Sequence, residues 1–198
     1  MPDPSAAYDA PADAQNYRRV IGQFATGVTV IVAQEGEDTH GMTANSVTSL
    51  SLEPLLLLFN VDRRAHLFPI VRDTGVFTVN ILRVEQEPLS RYFAGGARKG
   101  MARPDFRFVP WVGAPRLDGC LASVACTVAH ILDGGDHWIV IGRVVALHQG
   151  EMPGSPLLFY AGQYRQLAQA IVRPPADGNA DAAPIPMYYD PWYDDTRR

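Results

Sequence analysis

Cysteine is scarce: Cys120 and Cys126 are the two in 198 residues. On one strand they would sit roughly 20 Å apart at ~3.3 Å per residue. A disulfide needs Cα atoms within about 7 Å, so both are expected as reduced thiols in a cytoplasmic protein. There is no CxxC and no HExxH, which removes the usual frameworks of a structural zinc site. No GxGxxG follows a strand, against a Rossmann fold. No apolar run approaches the ~20 residues of a membrane-spanning helix. The opening "MPDPSAAYDAPADAQ" is acidic and lacks the apolar stretch of a secretory signal. Neither membrane insertion nor secretion is expected. Charge is also sparse, at 19%, while 47% of residues are apolar. That balance suits one well-packed domain and not a disordered chain.

The net charge of -4 is unevenly spread. Residues 1–15 hold Asp3, Asp9 and Asp13 with no base, and residues 174–198 hold five aspartates against Arg197 and Arg198. The body between is mildly basic. It lacks the dense basic face of a nucleic-acid binder and is compatible with a small anionic ligand.

Three regions follow: a loose leader over 1–14, a domain over 15–170, and a linker with an aromatic tail over 171–198. In the tail, "RPPADGNADAAP" precedes "IPMYYDPWYDD", which crowds Tyr188, Tyr189, Trp192 and Tyr193 together. In the domain, Tyr17, Val20, Ile21 and Phe24 recur at helical spacing, with Gly27 placed to end the helix. "VTVIVAQ" reads as a strand, "EGED" as its hairpin turn, and "THGMTANSVTSLSLE" as one returning strand. "LLLLFNVD" is apolar on both faces and expected to be covered on both. "RRAHLFPIVRDTG" predicts a short helix, "VFTVNIL" a strand and "EQEPLSRYFAG" a helix. Residues 96–118 read as a long loop of the kind that is often functional. "CLASVACTVAHIL" and "HWIVIGRVVALHQ" are long strands joined by the hairpin signal "DGGD". "SPLLFYAGQYRQL" predicts a strand and a helix. The fold class is mainly β with peripheral helices: a small barrel of about six or seven strands.

One stretch stands apart. "GMTANSVTSLSLEP", residues 41–54, places Thr43, Asn45, Ser46, Thr48, Ser49 and Ser51 beside the most apolar strand of the chain. Buried hydroxyls and amides cost free energy unless paired. They could face water on an edge strand, satisfy a turn or bulge, or form a polar wall around a ligand. Pattern alone leaves all three open.

Six segments, in order, resemble one family. "YRRVIGQFATGVTVIVA", "HGMTANSVTSLSLEPLLLLFNVDRRA", "GVFTVNIL" with "EQEPLSRYFAG", "PRLDGCLASVACTV", "GGDHWIVIGRVVAL" and "PLLFYAGQY" are similar to short-chain flavin reductases. These are FMN-binding split barrels that serve as reductase components of two-component flavin-dependent monooxygenases. The resemblance runs from about Tyr17 to Leu167. It implies an NAD(P)H-dependent reductase of FMN or FAD, using NADH or NADPH. It also implies a homodimer that supplies reduced flavin to a monooxygenase. That family binds nicotinamide without the Rossmann fingerprint. Fold alone leaves two alternatives: a flavin-retaining oxidoreductase with its own organic substrate, or a non-catalytic flavin or haem carrier.

The resemblance also implies site residues. Thr43, Ala44, Asn45 and Ser46 would line the isoalloxazine ring and ribityl chain. The turn Ala25, Thr26, Gly27 and Val28 would face the flavin from another side. Arg63, Arg64, Ser90 and Arg91 would be donors to the phosphate. Phe93 would pack on the flavin or anchor its own helix. His137 would position the nicotinamide. No general base is expected, because hydride transfer between the two groups is their own chemistry. His40, His66, His130 and His148 are expected to be structural.

Overall fold

The computed structural model describes residues 11–150 and 154–168. Most of the expected leader and the aromatic tail lie outside the described residues. Helix α1, Ala14–Ile21, begins inside that expected leader, where the Asp13 carboxylate accepts from the amides of Gln15 and Asn16. It ends at Gly22, whose amide donates to Arg18 O. Gly27 is therefore not its stop. Gly27 lies in a short strand, β1, Thr26–Gly27, and Phe24 falls beyond the helix.

The strands that follow are β2, Thr29–Glu35; β3, Asp38–Ala44; β4, Val47–Leu52; β5, Leu55–Asp62; and β6, Val76–Ile81. Helix α2, Leu67–Thr74, takes Pro69 in its first turn, where proline removes no helical hydrogen bond. Helix α3, Glu87–Arg91, runs into a wider turn over Tyr92–Gly96 that Gly95 breaks at φ 98°. The expected long loop carries a small ladder, β7, Phe108–Val109, against β8, Arg116–Leu117. The long strands β9, Ala122–Gly134, and β10, His137–Gln149, pair throughout, with register shifts after Ile141 and Val144. Last come β11, Leu158–Tyr160, and β12, Gln163–Arg165. The expected helix there is instead a strand, because Ala161 and Gly162 both take positive φ, 49° and 76°, and turn the chain straight back.

The main sheet is antiparallel with strand order β3-β2-β6-β9-β10-β5-β4. Its first and last strands are consecutive in sequence, joined only by Asn45 and Ser46. A sheet whose outer strands share a two-residue link must curl until its edges meet, and that makes the barrel. The expected single strand over 39–53 is thus two strands from opposite ends of the sheet.

Strand β2 is buried on both faces: Ile31 and Ala33 enter one core cluster, Val30 and Val32 the other. In β5 Leu57, Phe59 and Val61 are buried on one face, while Leu56, Leu58 and Asn60 on the other are only half-buried. In β10, Val145 and Leu147 are exposed. The expectation that β5 and β10 are covered on both sides does not hold within one chain. Burial raises both thiols, Cys120 and Cys126, to about 12. They are unreactive core groups.

Asn80, fully buried on β6, is satisfied from four directions. Its Nδ2 donates to Val30 O at 3.0 Å and Thr78 Oγ1 at 3.1 Å, and its Oδ1 accepts from Leu117 N at 2.9 Å and Ser123 Oγ at 2.8 Å. Thr78 Oγ1 donates in turn to Pro115 O at 2.7 Å. This network fastens the 96–118 segment to β2, β6 and β9. Asn80→Ala leaves buried donors and acceptors without partners, so it should cost about 3 kcal/mol. In a chain of this size that lowers the melting temperature by roughly 6–12 °C. Thermal unfolding followed by circular dichroism checks this. A shift under about 2 °C would remove Asn80 from this role.

Candidate flavin site

The two edges of the curled sheet do not pair along their whole length. Where β3 and the end of β5 diverge, a cleft of about 510 Å³ opens, lined by Met42, Thr43, Asp62, Arg64, Ala65, Phe93 and Ala94. That volume falls in the roughly 300–1,000 Å³ range of small-molecule and cofactor clefts.

Thr43 is half-buried on β3, and its hydroxyl donates to Ser90 O at 2.7 Å. Carbonyls in the last turn of a helix need partners from outside it, and Ser90 O finds one across the cleft. Phe93 continues the contact. A Cβ on Gly41 would come within 2.6 Å of its ring, so Gly41 is what lets the ring lie on the β3 backbone. On its other side Phe93 meets Phe106 at 5.2 Å and Phe108 at 6.2 Å between ring centroids. Phe93 thus anchors its helical segment and also lines the cleft.

The other expected residues divide. Asn45 and Ser46 are exposed at the corner between β3 and β4, with Ser46 Oγ 3.3 Å from Asn60 O. Ala44 is buried, and its carbonyl accepts from Thr29 Oγ1 at 2.7 Å. Thr48 and Ser49 are exposed on the edge strand β4. The polar stretch therefore serves two purposes: its first part reaches the cleft and its second faces water. Ala25 and Gly27 are exposed, while the Val28 side chain belongs to the core. Thr26 is half-buried, and its Oγ1 is shielded from water without a hydrogen-bond partner in the protein. Such an atom is costly unless something else pairs with it.

The two consecutive arginines point to different tasks. Arg64 forms a two-pronged pair with Asp62 at the cleft, with bonds of 3.0 and 2.8 Å. These bonds hold the Asp62 carboxyl well below the ordinary carboxylate range. Arg63 turns to the β9–β10 hairpin. It pairs with Asp133, donates to Gly135 O at 2.6 Å and lies 4.0 Å above the Trp138 ring. The guanidinium expected beside a phosphate thus faces the hairpin and is not part of the cleft lining. Arg91 is exposed, ion-paired to Glu87 at 2.7 Å and 4.8 Å from the Tyr164 ring centre. Ser90 is fully buried, so its hydroxyl is engaged inside the protein and not offered to a ligand.

His137 begins β10 directly opposite Asp62, a residue of the cleft. Its Nδ1 lies 2.7 Å from Asp136 Oδ1, and that contact lowers the Asp136 carboxyl below its ordinary value. Met42, Asp62, Ala65 and Ala94 also line the cleft without having been singled out. The first three lie inside the quoted "HGMTANSVTSLSLEPLLLLFNVDRRA" segment, so the signal was present.

The site suits a flavin on its own chemistry. A planar ring needs an open slot with small flanking groups, and Thr43 and Ala94 in the lining provide them. Hydroxyls and ring edges need hydrogen-bonding partners, and Thr43 lines the cleft, whereas Thr26, Asn45 and Ser46 lie outside its lining. A phosphate needs cations, and Arg64 stands exposed in the lining, while Arg91 is exposed outside it.

Comparison with known proteins agrees. Residues 21–168 match the flavin reductase like domain family. An NADH-dependent flavin reductase of Rhodococcus sp is 40% identical over 171 residues, which is 84% of this chain and 94% of that protein. The reductase component of 4-hydroxyphenylacetate 3-monooxygenase from Thermus thermophilus is 40% identical over 151 residues, covering 76% of this chain and 95% of its own. Among solved structures, the NADH:FAD oxidoreductase of Streptomyces globisporus C-1027, in complex with NAD and FAD fragments, superposes with a TM-score of 0.75. It shares 34% identity and covers 84% of this chain and 100% of its own. With the split barrel, the cleft and these likenesses in agreement, the chain belongs to the flavin reductase like domain family.

Proposed function

We propose that the protein is an NADH-dependent flavin reductase that passes reduced FMN or FAD to a partner monooxygenase. The observation that carries this is the cleft at the split of the barrel, where Thr43, Arg64 and Phe93 converge from three separate segments. When bound, nicotinamide and flavin would themselves supply the chemistry, a hydride transfer from the one to the other. The chain's own residues bind, orient and shield. Thr43, Asn45 and Ser46 offer hydrogen bonds to the ring and ribityl chain. Arg64 and Arg91 attract the phosphate end. His137 guides the nicotinamide from the hairpin tip, and no side chain need exchange a proton. Mixing the purified chain with NADH and a molar excess of FMN or FAD tests the reading. Many turnovers of flavin per protein, followed at 340 nm, are expected. A coloured protein inert to NADH and NADPH would make it a carrier instead.

We further propose a homodimer. Tyr17, Val20 and Phe24 are 66%, 65% and 71% exposed around α1, and Leu52 and Leu147 are 65% and 70% exposed on the sheet. Leu52 pairs with the exposed Leu55, so this apolar surface is continuous across β4 and β5. Surfaces of this kind on soluble proteins mark contacts, and a second copy presents the same surface in return. Light scattering on the full chain should give twice the chain mass of 21.7 kDa. A monomer at micromolar concentration would refute it. Both cysteines being buried thiols agrees with a cytoplasmic setting.

The hairpin yields a sharper expectation. Arg63 braces the loop that carries His137, so the two should act on the same ligand. His137→Ala and Arg63→Ala should each raise the KM for NADH by about tenfold, roughly 1.4 kcal/mol of binding, and leave the flavin Kd nearly unchanged. Steady-state kinetics with fluorescence titration separates the two quantities. If Arg63→Ala weakens flavin instead, its bracing role is wrong and it belongs to the phosphate end after all.

A further inference from the structure

The second, three-stranded sheet packs Phe159 and Tyr164 against the core cluster of Val28, Val30 and Val32. Its order is β1-β11-β12. Across it, Thr26 stands opposite Phe159, and Phe159 stands opposite Tyr164. The Phe159 and Tyr164 rings meet edge to face at 5.5 Å. Tyr164 then reaches α3. Its hydroxyl lies 2.8 Å from Ser90 Oγ, and its ring supports the Arg91 guanidinium at 4.8 Å. Ser90 is fully buried, and its carbonyl accepts from Thr43 Oγ1. One side chain thus engages two consecutive residues of helix α3, one of them the exposed Arg91. Through its strand neighbours it is also tied to the turn that carries Thr26.

We infer that Tyr164 is a positioning residue for flavin: by holding Ser90 and Arg91 it fixes the cation that meets the flavin phosphate. The inference rests on the flavin reductase reading and goes beyond it in naming a residue remote from the cleft and what it controls. The physical reason is the length and freedom of an arginine. An exposed Arg91 loses much rotamer entropy when it binds an anion. Stacking on a ring that is itself fixed removes part of that freedom beforehand, and preorganisation of this kind strengthens binding without adding a contact. The ring can serve as that platform only if its own orientation is set. The hydrogen bond to buried Ser90 sets one end and Phe159 the other.

A phosphate-specific effect separates this from general support of the fold. FMN carries the phosphate and riboflavin does not, while their rings and ribityl chains are the same. Tyr164→Phe removes only the hydroxyl and keeps the shape. With the full chain, it should raise the Kd for FMN by about tenfold and that for riboflavin by less than about twofold. Ser90→Ala, which removes the other half of the bond, should reproduce the same ratio. The double variant should add little to either single change, since both remove one interaction. Fluorescence titration of both flavins, with melting temperatures beside it, reads all of this. Equal weakening of FMN and riboflavin would reduce Tyr164 to a structural residue and overturn the inference. So would unchanged FMN affinity in Tyr164→Phe and Ser90→Ala together. Failure of the unmodified chain to bind either flavin would sink the flavin reading itself, and this inference with it.

Discussion

The hydrogen bond from Thr43 Oγ1 to Ser90 O ties the edge strand β3 to the end of helix α3 beside the cleft. Strand β3 is an edge of the main sheet, and its neighbour in the curled barrel, β5, is not laddered to it. An edge left in that state exposes backbone donors and acceptors and invites pairing with another chain. Here a helix end closes it in place of a strand. A helix end cannot follow a strand for long, so it touches β3 at Thr43 and Gly41 and leaves the rest of the seam open. The cleft is what remains. The Phe93 cluster holds the helix end down, and the Asn80 network holds the segment that brings Phe106 and Phe108 to Phe93. The two buried devices have different chemistry, and both set the width of the same opening.

Around that opening each nearby arginine has a carboxylate: Arg64 has Asp62, Arg91 has Glu87, Arg63 has Asp133. These pairs stand in water, where such contacts contribute little to stability. Their value is geometric. A guanidinium held by one carboxylate oxygen keeps other donors free, and its flat fork accepts a second oxyanion without large rearrangement. Arg91 illustrates this, since both its bonds to Glu87 go to one oxygen, Oε1. The Arg64 guanidinium holds Asp62 below its ordinary value, and the Gly135 amide, with Arg63 beside it, does the same for Asp133.

Local patterning made the long elements legible. The α2 helix with its early proline, the β9–β10 hairpin and strands β2, β5 and β6 all follow from period and turn chemistry. The breaks were harder. Nothing in "GMTANSVTSL" signals that Asn45 and Ser46 separate strands from opposite ends of a sheet, because curling is a property of the whole sheet. Ala161 is a rare left-handed alanine, so "YAGQY" lacked the usual sign of a tight turn. Of the residues named through resemblance, Thr43, Arg64 and Phe93 line the cleft. Direction was not legible: Arg63 and Arg64 are adjacent, yet one faces the hairpin and the other the cleft. Tyr164 was not singled out because its partner Ser90 lies 74 positions away, where no local pattern links the two.

The division between exposed and buried groups bears on how such a site can work. Asn45, Ser46, Arg64 and Arg91 are exposed, whereas Ser90, Gly41 under Phe93, and Asn80 behind them are held by the interior. A protein that hands its reduced flavin to another must release it on every cycle. Deep enclosure of the flavin would oppose that, because tighter ground-state binding shows chiefly as slower dissociation. A loose inner layer would fail in the other direction, since reacting atoms must be held within a few tenths of an ångström for efficient transfer. Rigidity placed one layer back, in Tyr164, Ser90 and Asn80, would answer both demands: exposed groups could make few, solvent-accessible contacts with a ligand and still begin already in place.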